Sequence, residues 1–437
     1  MSVPRNPLVA TLTGLRGNPR ACVYTEPLWG LSMYLCLPYA SVYMLALGVQ
    51  DVQIGLISTI GMLAQVVFGL LGGIITDKLG RRLSTLVADV LAWPVPCLIW
   101  FAASFVDQRA AFWLFVGASL VNATLQISQN SWDCLMVEDA QRDQIPHIYS
   151  LVMVAGHLSA LFAPIAAVLV AQFQLVAAVR ILYLNAFVVM TVKILWLYRW
   201  SHETDMGRIR KQATRGVSMW RLLAGYRGVL GIIKRSPGTM FALVIAVLVG
   251  AINSVNGTFW QIIINKKLFV PDPALPFFPM VRSLLAIVFL FTVIHRVTGT
   301  TRFRWPLVAG FGTYFVGQAL VSGIPAPDGA AGLQTYALLG VCLLFDSFGI
   351  GMLAMLAEAI VALHVDQTER SRVMAVQRTV VMLAISPFGW IGGALSGVNR
   401  GLPFVLTAVV ALVGVVASLW YYGRRGARDR RPIPEIL

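Results

Sequence analysis

Long, nearly unbroken apolar runs recur along the sequence, and no water-soluble fold can bury so many of them. Their approximate limits are residues 22–47, 52–76, 83–105, 111–137, 148–171, 176–198, 240–263, 277–293, 306–321, 332–363, 373–395 and 402–422. Most reach the ~20 residues that an α-helix needs to cross the hydrocarbon core of a bilayer. Twelve spans of 20 to 25 residues consume roughly 240 to 300 positions, and a chain of 437 residues supplies these with room for loops and tails. Composition agrees, with 58% hydrophobic and 12% charged residues against roughly 45–50% and about 25% in soluble domains. A transmembrane β-barrel is disfavoured, because its strands read as alternating segments of about ten residues and these runs are continuous.

The formal net charge of +15 does not point to nucleic acid, because lysine and arginine cluster between the apolar runs and form no folded basic domain. The largest interruption, residues 199–237, holds Arg208, Arg210, Lys211, Arg215, Arg221, Arg227, Lys234 and Arg235. It divides the chain into an N-terminal segment (1–21), a six-helix bundle (22–200), a basic linker (201–236), a second six-helix bundle (237–423) and a basic tail (424–437). With the N-terminus inside, roughly three quarters of all Lys and Arg fall on one side, the cytoplasmic excess of helical membrane proteins. The expected architecture is an all-α polytopic protein of an inner or plasma membrane, with twelve transmembrane helices and both termini cytoplasmic. Residues 1–21 read as no cleaved leader, and Leu8, Leu12 and Leu15 suggest at most a short interfacial helix.

A weak internal repeat supports two pseudo-symmetric halves. The stretch from Asp133 through "VEDAQRDQIPHIYS" to "LFAPIAAVL" has a counterpart from Glu358 through "HVDQTERSRVMAV" to "ISPFGWIGGAL". Parallel halves of this kind enclose a site near the membrane midplane. The five cysteines lie singly inside spans, with no CxxC and no metal-ligand spacing. Nothing resembles a phosphate loop, a nucleophile elbow or a metal triad. No cofactor, no metal and no enzymatic activity are expected, and ATP-driven transport by this chain alone is disfavoured.

The segment "GGIITDKLGRRLS" places Gly73, Asp77, Lys78, Gly80, Arg81 and Arg82 after the second run. A tight turn needs Gly80 for a conformation that a side chain would strain, and Gly73 lets a neighbouring helix approach. Asp77 suits a helix N-terminus, and Arg81 can take Glu138 or Asp139 as a bidentate partner. The spacing resembles the signature loop between the second and third helices of the major facilitator superfamily. The match falls in the loop where that family carries it, and the twelve-helix layout resembles the family over the whole chain; the subfamily stays open. The resemblance implies a latch that closes in the outward-facing state. The second half departs from it, with Arg296 in "HRVTGTTRFR" where an acid is expected, so no symmetric latch is expected. A glycine–proline motif of the family's antiporters is matched only in part by Gly156 and Pro164, whose other reading is a bent packing helix.

Charged side chains at the bilayer centre cost about 2.5–3.5 kcal/mol on insertion scales, so each one marks a candidate. Asp346 lies near the middle of the tenth run without a lysine or arginine near it in sequence, and is the first candidate for protonation; His157 and Glu26 are further ones. Gln126, Gln129, Asn130 and Asp133 share one helix face, either lining a cavity or bonding neighbouring helices. Asn253, Asn256 and Trp260 form a smaller face, and Tyr34, Tyr39 and Tyr43 surround Pro38, with Tyr34 taken as the substrate contact. Glu358 and Arg378 are expected to pair, Asp89 to lie near the cytoplasmic face, and Lys193, Arg180 and Arg282 to snorkel.

These residues point to a secondary transporter of a small solute, working by alternating access as a monomer in the lipid bilayer with protons as the coupling ion. Efflux of drug-like or amphipathic compounds and import of a polar nutrient such as a sugar stand side by side. A non-transporting sensor or scaffold is the reading from another class. A cavity of amides and aromatics suggests a neutral, cationic or amphipathic solute.

Overall fold

The computed structural model describes residues 7–141, 144–219, 237–289, 303–364 and 370–425, together with Thr292. All regular structure among them is helical. The principal helices are α1 (Gly17–Ala46), α2 (Asp51–Leu79), α3 (Arg81–Phe105), α4 (Gln108–Val137), α5 (Ile145–Phe173), α6 (Leu175–Trp200), α7 (Pro237–Lys266) and α8 (Phe277–Phe289), followed by α9 (Arg304–Gly323), α10 (Leu333–His364), α11 (Arg370–Val398) and α12 (Leu402–Arg425). Eleven helices among the described residues are long and apolar enough to cross a membrane. The 20-residue α9 is not in that set, because Arg304, Pro306, Thr313 and Gln318 lower its hydropathy. Two short helices, Pro7–Gly14 and Asp205–Ala213, flank the first six.

Prolines set the irregularities. At Pro38 α1 passes through a 3-10 turn, Leu37–Tyr39, and α5 does the same at Ala160–Phe162 just before Pro164. Helix α3 breaks at Trp93 (φ −124, ψ −69) ahead of Pro94 and Pro96. Proline has no N–H to give, so Pro96 leaves the carbonyl of Ala92 without its usual helical donor. The Asn122 side chain of α4 donates to that carbonyl at 2.6 Å. A backbone group that hydrocarbon cannot solvate is thus satisfied by the neighbouring helix.

Helices α1–α6 and α7–α12 form two sets that meet chiefly through α2 with α11 and through α5 with α8. The α2–α11 seam is made of glycine: a Cβ placed on Gly393 would lie 2.7 Å from the Asp51 carbonyl oxygen and 3.0 Å from the Gly55 Cα. Small residues let backbones approach this closely where lipid offers no hydrophobic drive between helices. Polar contacts lock the seam. Ser396 donates to Asp51 at 2.6 Å, with Arg400 at 3.5 Å. The Thr59 hydroxyl donates to the Ser386 carbonyl and accepts from the Trp390 N–H, both at 2.8 Å. Ser41 of α1 donates to the Thr258 carbonyl of α7 at 2.7 Å. All of these lie toward the Asp51 end of the bundle. Toward the Asp77 end, Asp133 of α4 feels the charge of Arg378 of α11, yet no hydrogen bond joins them among the described residues.

Candidate functional site

The loop between α2 and α3 turns on Gly80, whose φ of +95° lies in the region a side chain rarely adopts. The Glu203 carboxylate accepts from the backbone N–H of Arg81 at 2.8 Å and of Arg82 at 3.2 Å, and so occupies the electropositive start of α3. Sequence reasoning gives that place to Asp77. Asp77 instead accepts from Arg81 Nη1 at 2.7 Å, while Glu138 accepts from Arg81 Nε at 3.0 Å. Asp139 is not the partner; it accepts from Asn18 at 2.7 Å and lies 3.5 Å from His202. Thr204 donates to Glu138 at 2.5 Å and caps the helix Asp205–Ala213 by accepting from Gly207 N at 2.9 Å. Lys78 donates to the Val217 carbonyl at 2.6 Å, and Arg82 to that of Tyr198 at 2.6 Å. The close approach to α4 is made by Gly72, one residue before Gly73: a Cβ there would sit 3.3 Å from the Gln126 carbonyl oxygen. The counterpart loop with Arg296 and Gly299 lies outside the described residues.

A Cβ at Gly80 would both strain the turn and run into the Glu203 carboxylate. Gly80→Ala is therefore expected to cost about 1–3 kcal/mol, read as a lower thermal-unfolding midpoint. Gly69→Ala, at a helical position with nothing within 4 Å, is the control and is expected to lose no stability. Equal midpoints for the two variants would rule out a special role for the turn.

Among the described residues, each six-helix set holds an ion pair built on a buried carboxylate. In the first, Lys193 of α6 donates to Asp89 of α3 at 2.9 Å, and Ser128 of α4 donates to the other carboxylate oxygen. Lys193 is only 4% exposed, so it does not snorkel as its position in sequence suggests. Asp89 is buried with it rather than near a polar face. The charges of both reach Glu26 on α1. Arg180 donates to Ser104 Oγ at 2.7 Å with its guanidinium over the Phe105 ring.

In the second set, Asp346 of α10 is 1% exposed and accepts from Arg282 of α8 at 2.5 Å and from Gln318 of α9 at 2.8 Å. Gln318 in turn accepts from Thr407 of α12 at 3.0 Å. Arg282 does not snorkel as expected; it turns inward, with its guanidinium 5.1 Å from the centre of the Trp260 ring. Asn256, one turn before Trp260 on α7, donates to Tyr314 at 2.6 Å and belongs to the same network. Four helices thus converge on one carboxylate. Its guanidinium partner is 31% exposed.

The other sequence candidates scatter. Gln126 donates to Gln65 at 3.1 Å and Asn130 to Thr76 at 3.2 Å, both across to α2, whereas Gln129 and Asp133 remain accessible. The stripe therefore divides between helix packing and open faces. Asn253 is exposed, and Tyr34 faces Ser283 of the second set. Tyr39 and Tyr43 are fully buried, with Tyr43 donating to the Trp100 carbonyl, so both pack between helices in this conformation. His157 is half-buried, and its Nδ1 lacks a partner among the described residues. The Glu358 side chain lies outside the described residues, which leaves its expected pairing with Arg378 outside them too. No group of metal-ligating side chains occurs among the described residues.

The roles of Arg282, Glu203 and Gln318 escape sequence reasoning. The available signal is one of complementary charge: Arg282 and Asp346 each sit inside an apolar run, and each alone is costly in a bilayer.

A family model, that of the Major Facilitator Superfamily, matches residues 28–333. Among solved structures, the chain is similar to the nucleoside transporter NupG, with TM-score 0.69 and 13% identity over 93% of this chain and 99% of that one. It is also similar to the peptide transporter POT in complex with sulfate, with TM-score 0.66 and 14% identity over 98% and 99% of the two chains. The POT family transporter PepTSo gives TM-score 0.67 and 12% identity over 94% and 99%. At such identities the likeness carries the fold alone. None of the curated proteins matches the chain by sequence. The family match spans well over half of the chain, and the eleven apolar helices among the described residues make it a multi-pass membrane protein. The chain belongs to the Major Facilitator Superfamily, a family of membrane transporters and not of enzymes.

Proposed function

We propose that the protein is a proton-coupled secondary transporter of a small solute, with Asp346 as the protonated group and Arg282 as its switchable partner. One observation carries this reading: a carboxylate 1% exposed, inside a membrane-spanning helix, is paired with a guanidinium that is still 31% exposed. Protonating Asp346 removes the charge that holds Arg282, and a cation left behind in a low-dielectric site must then find another partner. Solute and proton are coupled in this way through one residue pair.

In this reading α9 is the twelfth span, residues 22–200 and 237–423 form the two halves, and both termini and the basic linker are cytoplasmic by the positive-inside bias. The end closed by Asp51, Thr59 and Gly393 is then the outer one, so the conformation faces inward. The cluster of Gly73, Asp77, Lys78, Gly80, Arg81, Arg82 and Glu138, with Glu203 added to it and Asp139 moved aside, is already paired within the first set in this inward-facing conformation, so a latch that closes only in the outward-facing state needs a further partner from the second set. Asn256, Trp260, Tyr34 and the open residues Gln129 and Asp133 contact solute. Efflux of amphipathic compounds across a plasma or inner membrane is one direction; import of a polar nutrient is the second.

Reconstitution in liposomes containing a pH-sensitive dye tests this, with drugs, sugars, amino acids and lipids offered in turn. Solute-triggered proton flux is expected, and Asp346→Asn is expected to abolish it. Flux that survives the substitution would move the coupling group elsewhere, toward Asp133 or Glu26.

A further inference from the structure

Three helices of the first set leave regular geometry around one space. Helix α1 passes through the 3-10 turn Leu37–Tyr39 at Pro38, α3 breaks at Trp93 ahead of Pro94, and α4 is interrupted between Asn122 and Leu125. Leu37, Trp93 and Asn122 all line a single cavity of about 260 Å³. Packed interiors leave few voids larger than a water molecule, so a void of this size, framed by proline-directed breaks, is a built feature. A dry cavity of roughly 150 Å³ accommodates benzene, and this one has room for about two fused rings.

The walls select for ring systems without charge. Trp93, Trp100, Phe115 and Tyr183 supply aromatic faces and edges, and Met33 and Met44 add thioether sulfurs. Such groups favour a π system over a saturated one. Among the described residues no charged side chain lines the cavity, so an ion entering it would shed its water and meet no counter-charge. The cavity opens at Leu37, which is 59% exposed. On α1 Leu37 stands between Tyr34, which faces Ser283, and Ser41, which donates to the Thr258 carbonyl, both partners belonging to the second set. The mouth therefore lies where α1 faces the other half.

Three polar side chains in this wall have bonding capacity to spare. Asn122 gives one amide N–H to the Ala92 carbonyl at 2.6 Å, and its Oδ1 accepts from no described residue. Ser119 donates to the Ile57 carbonyl at 3.3 Å and keeps its lone pairs. Tyr183 is 4% exposed and packs its ring against Tyr43 and Trp100, with no partner for its hydroxyl among the described residues. Each of the three offers an oxygen that can still accept, so a ligand N–H or O–H finds a partner here that apolar walls alone would deny it.

We propose that this cavity binds an uncharged two-ring aromatic group carrying one N–H or O–H donor, with the rings between Trp93, Trp100 and Phe115 and the donor on Asn122 Oδ1. Of the neutral, cationic and amphipathic solutes suggested by sequence, the assignment keeps the neutral one. It rests on the transporter reading for that group being cargo, and on the cavity alone for its being bound.

The test uses the full-length protein in lipid nanodiscs with tritiated indole, and counts the label retained beyond that on empty nanodiscs. Indole is expected to bind saturably. As competitors, 1-methylindole, which lacks the donor, should be roughly tenfold weaker than unlabelled indole, and indole-3-carboxylate and decalin should not compete over the same range. Ala40→Phe, which fills the cavity from α1, should remove saturable binding. Asn122→Met keeps the volume and removes the acceptor, and should bring indole down to the affinity of 1-methylindole; a cooperative thermal transition verifies that each variant is folded. Saturable indole binding unchanged by Ala40→Phe would overturn the proposal, as would competition by the carboxylate or by decalin equal to that of indole. Absence of saturable binding in cooperatively unfolding parent protein would overturn it too. Binding that Ala40→Phe removes, without flux of indole in liposomes, would defeat the cargo role and leave the site standing. Flux of another solute, indifferent to saturating indole, would overturn the assignment and leave the transporter reading intact.

Discussion

Lys193→Met alone is expected to destabilise the protein severely, by about 3–5 kcal/mol, while Lys193→Met combined with Asp89→Leu restores most of the loss. The reason is the location of the pair. Asp89 and Lys193 are 2% and 4% exposed, so neither charge has water to fall back on. Removing the lysine leaves a carboxylate whose remaining donor is Ser128, and one hydroxyl cannot replace an ammonium. Removing both charges deletes a desolvation cost together with the attraction that offset it, so an apolar pair of similar volume is close to neutral. Ser128 loses an acceptor in the double variant, but a helical serine can turn to the carbonyl one turn back. Thermal unfolding of the three proteins in the same lipid or detergent decides the matter. A single variant within about 1 kcal/mol of the parent, or a double variant no better than the single, would mean that the pair is solvated in a way its burial does not allow.

Gly393→Val should hold the Asp51 end of the bundle open. Its Cβ would meet the Asp51 carbonyl oxygen at 2.7 Å and the Gly55 Cα at 3.0 Å. Both obstacles are backbone atoms, so no rotamer change makes room. Overpacking of this kind costs about 1–3 kcal/mol, and that free energy shifts a two-state balance by roughly 5–150-fold. A cross-link reads the balance directly. Gly397 faces Val52, and a Cβ on it would lie 3.1 Å from the Val52 Cγ2, so Val52→Cys with Gly397→Cys should form a disulfide quickly in the parent background. With Gly393→Val added, formation should slow roughly fivefold or more, and solute-driven flux should fall with it. Unchanged cross-linking would show that α2 and α11 slide past the added methyl groups without separating.

The succession of apolar helices was legible because a bilayer imposes one rule on every span: some twenty apolar residues, all backbone groups bonded within the segment. The Gly80 turn was legible for another reason, since a positive φ calls for glycine. Partner choice was not. Arg282 and Asp346 are 64 residues apart, and nothing in the local pattern of either distinguishes pairing inward from snorkelling outward. The same holds for Glu203, whose occupation of the α3 N-terminus depends on how the linker folds back after α6. The polar face of α4 was legible as a face but not as a split one: periodicity tells which residues align, and only packing tells that Gln126 and Asn130 meet α2 while Gln129 meets open space.

The Thr59 hydroxyl stands between two groups that would bond each other in an uninterrupted helix, the Ser386 carbonyl and the Trp390 N–H four residues on. Pro387 sits between them, in a helix already short of one backbone donor. When α2 departs, both groups have a ready replacement in one another, and the threonine can return its proton to a carbonyl of its own helix. Separation of the two halves at this level therefore exchanges one set of hydrogen bonds for another of equal size and leaves no orphan in the membrane. The hydrogen bonding of α11 then reports the state of the seam: shared with the Thr59 hydroxyl when the halves meet, returned to its own ladder when they part.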